Sequence, residues 1–290
     1  MFNIVEKRRW YYTFSGIVLL ICIGFMVASV AQIGQPFRLS IDFQGGAIYE
    51  FQFDEAGATE DSIRGVFESF GESNPIIQQL GDEEDYRWSV RVNFAEDQSS
   101  QEILNALEEL AQLEEENESV EQVSPTIGQE VTRAALFAVA AASVVITGFI
   151  VIAFRKVPNA LRYGLCAIAA MTHDVLVVLG AAALLGFVLG WEVDALFLTA
   201  VLTVVGFSVQ DSIVVFDRIR ENIPKHIGEP YETIVNRSIW ETIHRSLATQ
   251  LNAFFIMIAI LLFGGDSIKQ FIGVLFIGLL SGTYSSIFVA

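Results

Sequence analysis

The chain has 290 residues, of which 53% are hydrophobic, and its formal net charge is −17. Its mean hydropathy is +0.50, so apolar and ionic residues must occupy different parts of the chain, which is unlike an ordinary soluble enzyme. The segment 34–130 holds 23 acidic and four basic residues, while the remainder is close to neutral. No basic patch with interleaved aromatic residues is present, which argues against a nucleic-acid partner.

Six apolar runs are long enough to cross a membrane as helices. A spanning helix needs about 20 apolar residues, because about 30 Å of hydrocarbon is crossed at 1.5 Å per residue. The predicted spans are residues 11–33, 134–154, 163–189, 195–216, 245–263 and 271–290. Basic residues precede the first run, as they would in a signal peptide, but the run is longer than a signal core, so we predict an uncleaved span.

Positively charged residues predict the orientation of these spans. They cluster in residues 1–10, between spans 2 and 3, and in the segment 217–244 between spans 4 and 5. By the positive-inside rule, these segments and both termini are predicted to be cytosolic, and the acidic segment 34–130 is predicted to lie outside. Pro230 is predicted to open an amphipathic helix that lies along the membrane surface before turning into span 5.

The segment 34–130 is predicted to contain a small α/β domain. Four short stretches alternate as strands, at 47–53, 75–80, 86–93 and 118–123, and two carry helical spacing, at 59–70 and 101–113. The order β-α-β-β-α-β is the ferredoxin-like split βαβ arrangement. The predicted fold class is therefore a polytopic α-helical membrane protein with a ferredoxin-like α+β domain between helices 1 and 2.

Four ionisable residues lie within the predicted spans, where charges are costly and usually face the bundle interior. His173 and Asp174 lie in the middle of span 3, Asp211 lies in span 4, and Arg245 lies near the cytosolic start of span 5. Arg245 keeps its proton under biological conditions, whereas the two aspartates can titrate. These four residues are predicted to form a proton relay or an ion pair. A static pair between Asp211 and Arg245, and a packing role for His173, are the structural alternatives.

Helical phase groups the polar residues of spans 4 and 5 into two stripes. At 100° per residue, each stripe falls within about 140° of arc or less. The stripes consist of Thr199, Thr203, Gly206, Gln210 and Asp211 in span 4, and Thr242, Arg245, Thr249 and Asn252 in span 5. We expect both stripes to face something other than lipid, with Thr203, Gln210, Thr249 and Asn252 supporting the charged residues.

Small residues in spans 1 and 6 indicate close helix packing, and the sequence lacks cofactor and disulfide motifs. The series Gly278, Gly282 and Ser286 in span 6, and Gly24 with Ala28 in span 1, predict faces for close helix packing. The two cysteines, Cys22 and Cys166, lie in separate apolar runs and predict no disulfide framework. The sequence has no Gly-rich phosphate loop and no Cys/His metal spacing, so we predict neither a cofactor nor a metal site.

Three motifs resemble a known family. They are the segment 41–46 (IDFQGG) after span 1, the segment 205–222 (VGFSVQDSIVVFDRIREN) of span 4, and the segment 263–265 (FGG) after span 5. With six spans and a domain between the first two, they resemble the SecF side of the SecD/SecF family of bacterial protein-export membrane proteins, which belongs to the RND superfamily. The resemblance covers essentially the whole chain. Gln210 and Gln44 depart from it, since the family more often has Asn and Thr there.

The resemblance implies a subunit of the cytoplasmic (inner) membrane that works with SecD and the SecYEG channel. It implies use of protons, through the proton motive force, to promote the export of translocating secretory polypeptides, without a catalytic reaction of its own. It places the family's functional positions on Asp211, Arg245, His173 and Asp174 in the spans, and on Asp42, Gly45 and Gly46 after span 1. It also implies that Arg245 faces an aspartate of SecD.

Three other functions remain as alternatives. Asp174 and Asp211 could form the carboxylate dyad of an intramembrane aspartyl protease, because two close carboxylates can share a proton. The surrounding sequence lacks a Gly-x-Gly-Asp element, which argues against this enzyme. A pure assembly scaffold would use the charges only to hold helices together. A small-molecule RND exporter would usually have larger outer loops that occur twice in one chain.

Overall fold

The structure is a computed structural model that describes residues 3–54, 57–72, 75–80, 85–93, 100–114, 118–155 and 160–290. It divides into two compact units. A helical unit comprises Met1–Arg38 and Ala135–Ala290, and an α/β domain comprises Leu39–Ala134. The long helix that begins at Pro125 starts in the domain and continues through the helical unit.

Six helices of the described chain are long and apolar enough to cross a membrane, as the sequence predicts. They are α1 (Arg8–Ile33), α5 (Pro125–Ala153), α6 (Ala160–Leu189), α7 (Ala195–Asn222), α8 (Tyr231–Phe263) and α9 (Asp266–Phe288). Helix α7 packs against α6, α8 and α9, while α1 packs mainly against α6. The interior of the bundle is therefore built around α7.

Helix α8 differs from the prediction of a surface helix that turns into span 5. It runs without interruption from Tyr231 to Phe263. Sharp kinks usually require Pro, Gly or an inserted group, and this segment contains neither Pro nor Gly. Two apolar residues of its first half, Ile234 and Ile239, are buried, and Ile239 belongs to a cluster with Phe216 and Ile219 of α7.

Close packing by small residues is confirmed in span 6 but not at Gly24. A Cβ placed on Gly278 would lie 2.9 Å from Cγ1 of Val204 and closer still to its Cγ2. A Cβ on Gly282 would lie 3.3 Å from Cβ of Ser208, so α9 approaches α7 along this face. Gly24 has nothing within 4 Å of such a Cβ. The close contact of α1 is made instead by Cys22, which packs against Gly180 of α6.

The α/β domain has the predicted ferredoxin-like arrangement. Its elements are α2 (Ile41–Gln44), β1 (Gly46–Gln52), α3 (Glu60–Ser69), β2 (Ile76–Leu80), β3 (Arg87–Val92), α4 (Ser100–Glu108) and β4 (Ser119–Val123). The strands form one antiparallel sheet in the order β2-β3-β1-β4. Alternate residues of β1, including Tyr49 and Phe51, pack against Phe67 of α3 and Leu107 of α4. Helix α4 ends earlier than predicted, and Leu113 pairs with Phe53 as an isolated bridge.

Candidate functional site

The segment after span 1 joins the beginning of the α/β domain to its end. The side chain of Ser40 accepts a hydrogen bond from the backbone N–H of Asp42 and caps α2. Gly45 and Gly46 follow with φ of 79° and 139°, a region that strongly favours glycine. A Cβ on Gly45 would lie 2.7 Å from the backbone of Pro125, at the start of α5. The two glycines therefore permit a close backbone approach, and this role is structural.

Asp174 lies on α6 in the helical unit and is fully buried, at 0% exposure. Its carboxylate accepts four hydrogen bonds from within the bundle. The donors are His173 Nδ1 (3.1 Å) and Ser281 Oγ (2.6 Å) to Oδ1, and Ser208 Oγ (2.5 Å) and Ser285 Oγ (2.6 Å) to Oδ2. Three helices, α6, α7 and α9, therefore meet at one carboxylate.

The three serines of this cluster were not identified from the sequence. The sequence pattern of span 6 predicts only close packing for its small residues, although Ser281 and Ser285 are spaced by one helical turn and therefore share a face. That spacing, beside a span carrying Asp174, is the signal that could have found them. His173 uses Nδ1 for Asp174, and its buried Nε2 has no partner in the described part of the chain.

Asp211 is the second buried carboxylate among the described residues of the helical unit, at 6% exposure. Its Oδ2 accepts a hydrogen bond of 2.7 Å from Nε2 of Gln250 on α8. Arg245 is exposed and makes no side-chain hydrogen bond or ion pair with any described residue. The static pair between Asp211 and Arg245 within this chain is therefore not formed, because Arg245 lies about 140° around α8 from Gln250.

Most residues of the two predicted stripes are at least partly exposed on apolar helices, whereas Asp211 and Thr242 are buried. Gln210, Thr249 and Asn252 are exposed, and Thr203 is half-buried. Thr203 and Thr249 donate to backbone carbonyls one turn earlier, so their hydroxyls are satisfied within the helix. The amides of Gln210 and Asn252 make no hydrogen bond with the rest of the described chain. Unsatisfied amides are costly in hydrocarbon, so this surface is suited to contact with another polar partner.

A second polar stripe on α8 faces α7, and of its residues only Thr242 was predicted to belong to a polar stripe. It consists of Ser238, Thr242, Ser246 and Gln250, which recur every four residues and are all buried. Asn222 of α7 donates to Ser238 Oγ (3.0 Å) and to Glu241 Oε2 (2.8 Å). Glu241 also accepts from Arg218 at 2.6 Å. Polar contacts therefore join α7 to α8 at two levels, at Asp211 and at the end of the 205–222 motif.

The two buried aspartates do not form a dyad in the described structure. Asp174 binds His173 and three serines, whereas Asp211 binds Gln250, and no hydrogen bond joins the two carboxylates within the residues described. An aspartyl protease needs two carboxylates close enough to share a proton. The protease interpretation therefore receives no support from this geometry.

Six apolar helices with buried carboxylates between them, and a ferredoxin-like domain inserted after the first, define a polytopic membrane protein. Residues 102–290 match the family described as protein export membrane protein SecD/SecF, C-terminal, and residues 30–56 match the SecD/SecF GG motif. The chain belongs to the SecD/SecF family, and within it to the SecF proteins.

Relatives and solved structures agree with this assignment. The protein translocase subunit SecF of Thermobaculum terrenum is 41% identical over 99% of this chain and 92% of its own. The SecF subunit of Anaerolinea thermophila is 40% identical over 100% of this chain and 92% of its own. The crystal structure of SecDF, a translocon-associated membrane protein from Thermus thermophilus, superposes with a TM-score of 0.78 and 31% identity. That comparison covers 99% of this chain and 37% of the SecDF chain.

Proposed function

We propose that this SecF chain works with SecD as a proton-coupled accessory of the SecYEG channel and promotes the export of secretory polypeptides. The single observation that carries the proposal is the buried Asp211, held by Gln250 and adjacent on α7 to the outward polar surface at Gln210. A titratable group at such a position can take up and release a proton. The exposed polar surface beside it gives protons a path to the carboxylate, whereas lipid does not. The chain itself would catalyse no chemical reaction.

In this proposal Arg245 acts across a subunit interface. It is exposed on α8 and has no acidic partner among the described residues of its own chain. An arginine in a membrane span usually pairs with another group, and a carboxylate of SecD would supply the missing charge. Protonation of Asp211 would then alter the electrostatic attraction between α7 and α8 of this chain and the facing helices of SecD.

The proposed orientation follows the basic residues. The bacterial cytoplasmic membrane would hold the six helices with both termini in the cytosol and the acidic α/β domain outside. One elementary charge that crosses 100 mV releases about 2.3 kcal/mol, which is enough to bias a two-state equilibrium between two arrangements of the helices. That bias would be coupled to movement of the outer domain.

Asp211→Asn and Arg245→Met are expected to abolish the gradient-dependent part of export while leaving assembly with SecD intact. The measurement is completion of secretory protein export in inverted membrane vesicles that carry SecD and SecYEG, with and without a proton gradient, at equal abundance of the variants. Asp217→Asn is the matched control, because this residue of α7 forms a surface ion pair with Arg220 and such pairs contribute little.

Unchanged export by Asp211→Asn would overturn the proposal and favour the assembly scaffold. In that case the polar contacts of α7 would only hold the helices together. Export of a small dye instead of a polypeptide would favour the RND-type exporter. Loss of export with loss of SecD association would indicate a structural role for the charges.

Gln250→Leu is expected to reduce gradient-dependent export by about tenfold, because a hydrogen bond to a charged group contributes about 1.5–3 kcal/mol. The buried carboxylate of Asp211 would lose the only side-chain donor that the described residues provide. Ser246→Ala serves as the control, since it removes a buried polar group one turn away on the same stripe that does not bind Asp211. Equal export by Gln250→Leu and Ser246→Ala would show that Gln250 does not position the carboxylate.

A further inference from the structure

A cavity of about 710 Å³ lies at the basic end of the helical unit, between the first turns of α6, the end of α7 and the start of α8. Its lining includes Tyr163, Cys166, Phe216, Ile219, Ile234 and Val235. It lies where the predicted span 3 begins and span 4 ends, so we expect it at the depth of lipid headgroups. It shares no residue with the groups around Asp174 and Asp211.

The walls of this cavity suit hydrocarbon better than a polar ligand. Phe216, Ile219 and Ile234 are buried apolar residues that form its inner surface. The hydroxyl groups of Tyr163 and Tyr231 hydrogen-bond to each other at 3.0 Å, so their polar atoms already have partners. Burial of apolar chains against such a surface contributes about 0.8 kcal/mol per methylene group.

The rim of the cavity carries an uncompensated positive charge. Arg162 lines the opening, is exposed, and makes no hydrogen bond or ion pair with the described residues. The acidic residue of the rim, Glu229, is neutralised by Arg237 at 3.1 Å and also contacts His226 at 3.2 Å. An anionic group at the mouth would therefore meet the guanidinium of Arg162, because the acidic side chain among the described lining residues is already paired with Arg237.

The adjacent loop also points to contact with a bilayer. Ile227 lines the cavity and is 88% exposed. It lies between His226 and Gly228, in the short connection that leads from α7 to α8. A fully exposed isoleucine beside an apolar cavity is expected to enter the boundary between the lipid headgroups and the acyl chains.

We propose that this cavity binds an anionic phospholipid, with one acyl chain inside and the phosphate against Arg162. Basic pockets between membrane helices commonly recognise anionic headgroups, and the apolar walls supply the site for the chain. The site goes beyond the proposed function, because it requires only that the helices span a membrane. Its failure would therefore leave proton coupling at Asp211 untouched.

The test uses the full purified chain, stripped of lipid in detergent and titrated with phosphatidylglycerol while bound lipid is counted by native mass spectrometry. We expect tighter binding of phosphatidylglycerol than of phosphatidylcholine with the same acyl chains. Arg162→Gln should weaken phosphatidylglycerol binding by roughly fivefold, as expected for one arginine near a membrane surface. Arg155→Gln is the matched control, because Arg155 is exposed at the same end of the bundle but does not line the cavity.

Cys166 provides a second readout that does not depend on counting lipids. It lines the cavity and is exposed, whereas the other cysteine, Cys22, is buried. In a Cys22→Ala background, phosphatidylglycerol should slow the reaction of Cys166 with a maleimide, and inorganic phosphate should not. Equal protection by phosphatidylcholine, protection by phosphate alone, or equal effects of Arg162→Gln and Arg155→Gln would each overturn the proposal.

Discussion

Asp174→Leu is expected to destabilise the helical unit strongly, because one carboxylate holds hydroxyl groups from two other helices. Interhelical hydrogen bonds in membrane proteins contribute about 0.6 kcal/mol on average and up to about 1.7 kcal/mol. The contacts to Ser208, Ser281 and Ser285 are short and involve a carboxylate. Their combined loss therefore corresponds to about 2–5 kcal/mol, which should lower the midpoint of thermal unfolding in detergent by several degrees.

Asp174→Asn is the control that separates anchoring from proton transfer. The amide keeps the shape of the carboxylate, and its oxygen and nitrogen can still bond to serine hydroxyls, which both donate and accept. We therefore expect nearly normal unfolding and export from this variant. Normal stability with loss of gradient-dependent export would contradict the anchoring role and support the predicted relay through Asp174. The anchoring role would also be contradicted if Asp174→Leu unfolded at the same temperature as the unsubstituted chain.

The elements of the fold could be predicted because each has a strong local pattern. Long apolar runs predict the spans, and the strands of the α/β domain alternate because one face of the sheet covers α3 and α4. Helix α8 was not fully predicted, since its amphipathic first half is typical of a surface helix. Its apolar residue Ile239 instead packs in a cluster with residues of α7. No sequence pattern states which neighbouring helix such a face will contact.

The site could be predicted only where the residues are chemically conspicuous. Asp174, Asp211 and Arg245 stand out in apolar spans, so their positions are readable, but their partners depend on the packing of different helices. Ser281 and Gln250 bind the two carboxylates from other helices, 107 and 39 residues away in the sequence. Serine is common in packing faces, so only the assembled bundle distinguishes a packing serine from a hydrogen-bond donor.

Gly278→Ala is expected to disrupt the contact between α7 and α9, the helices that share the Asp174 cluster. The added methyl would lie 2.9 Å from Cγ1 of Val204 and even closer to Cγ2, with Val178 Cγ2 at 3.1 Å. Overpacking of a well-packed interior typically costs about 1–3 kcal/mol. Because valine has one strongly preferred rotamer in a helix, Val204 cannot easily turn away, so the backbones must separate. Thermal unfolding in detergent should therefore shift to lower temperature.

A matched control and a rescue make this prediction specific. Gly24→Ala adds the same methyl to an apolar span, but nothing lies within 4 Å of it, so stability should be unchanged or slightly higher. Val204→Ala in the Gly278→Ala background removes the two methyl groups that clash and should restore part of the lost stability. A double variant no more stable than Gly278→Ala alone would show that Val204 does not limit the approach of α9. Because α9 carries Ser281 and Ser285, a wider spacing should also weaken gradient-dependent export, and the rescue should recover it.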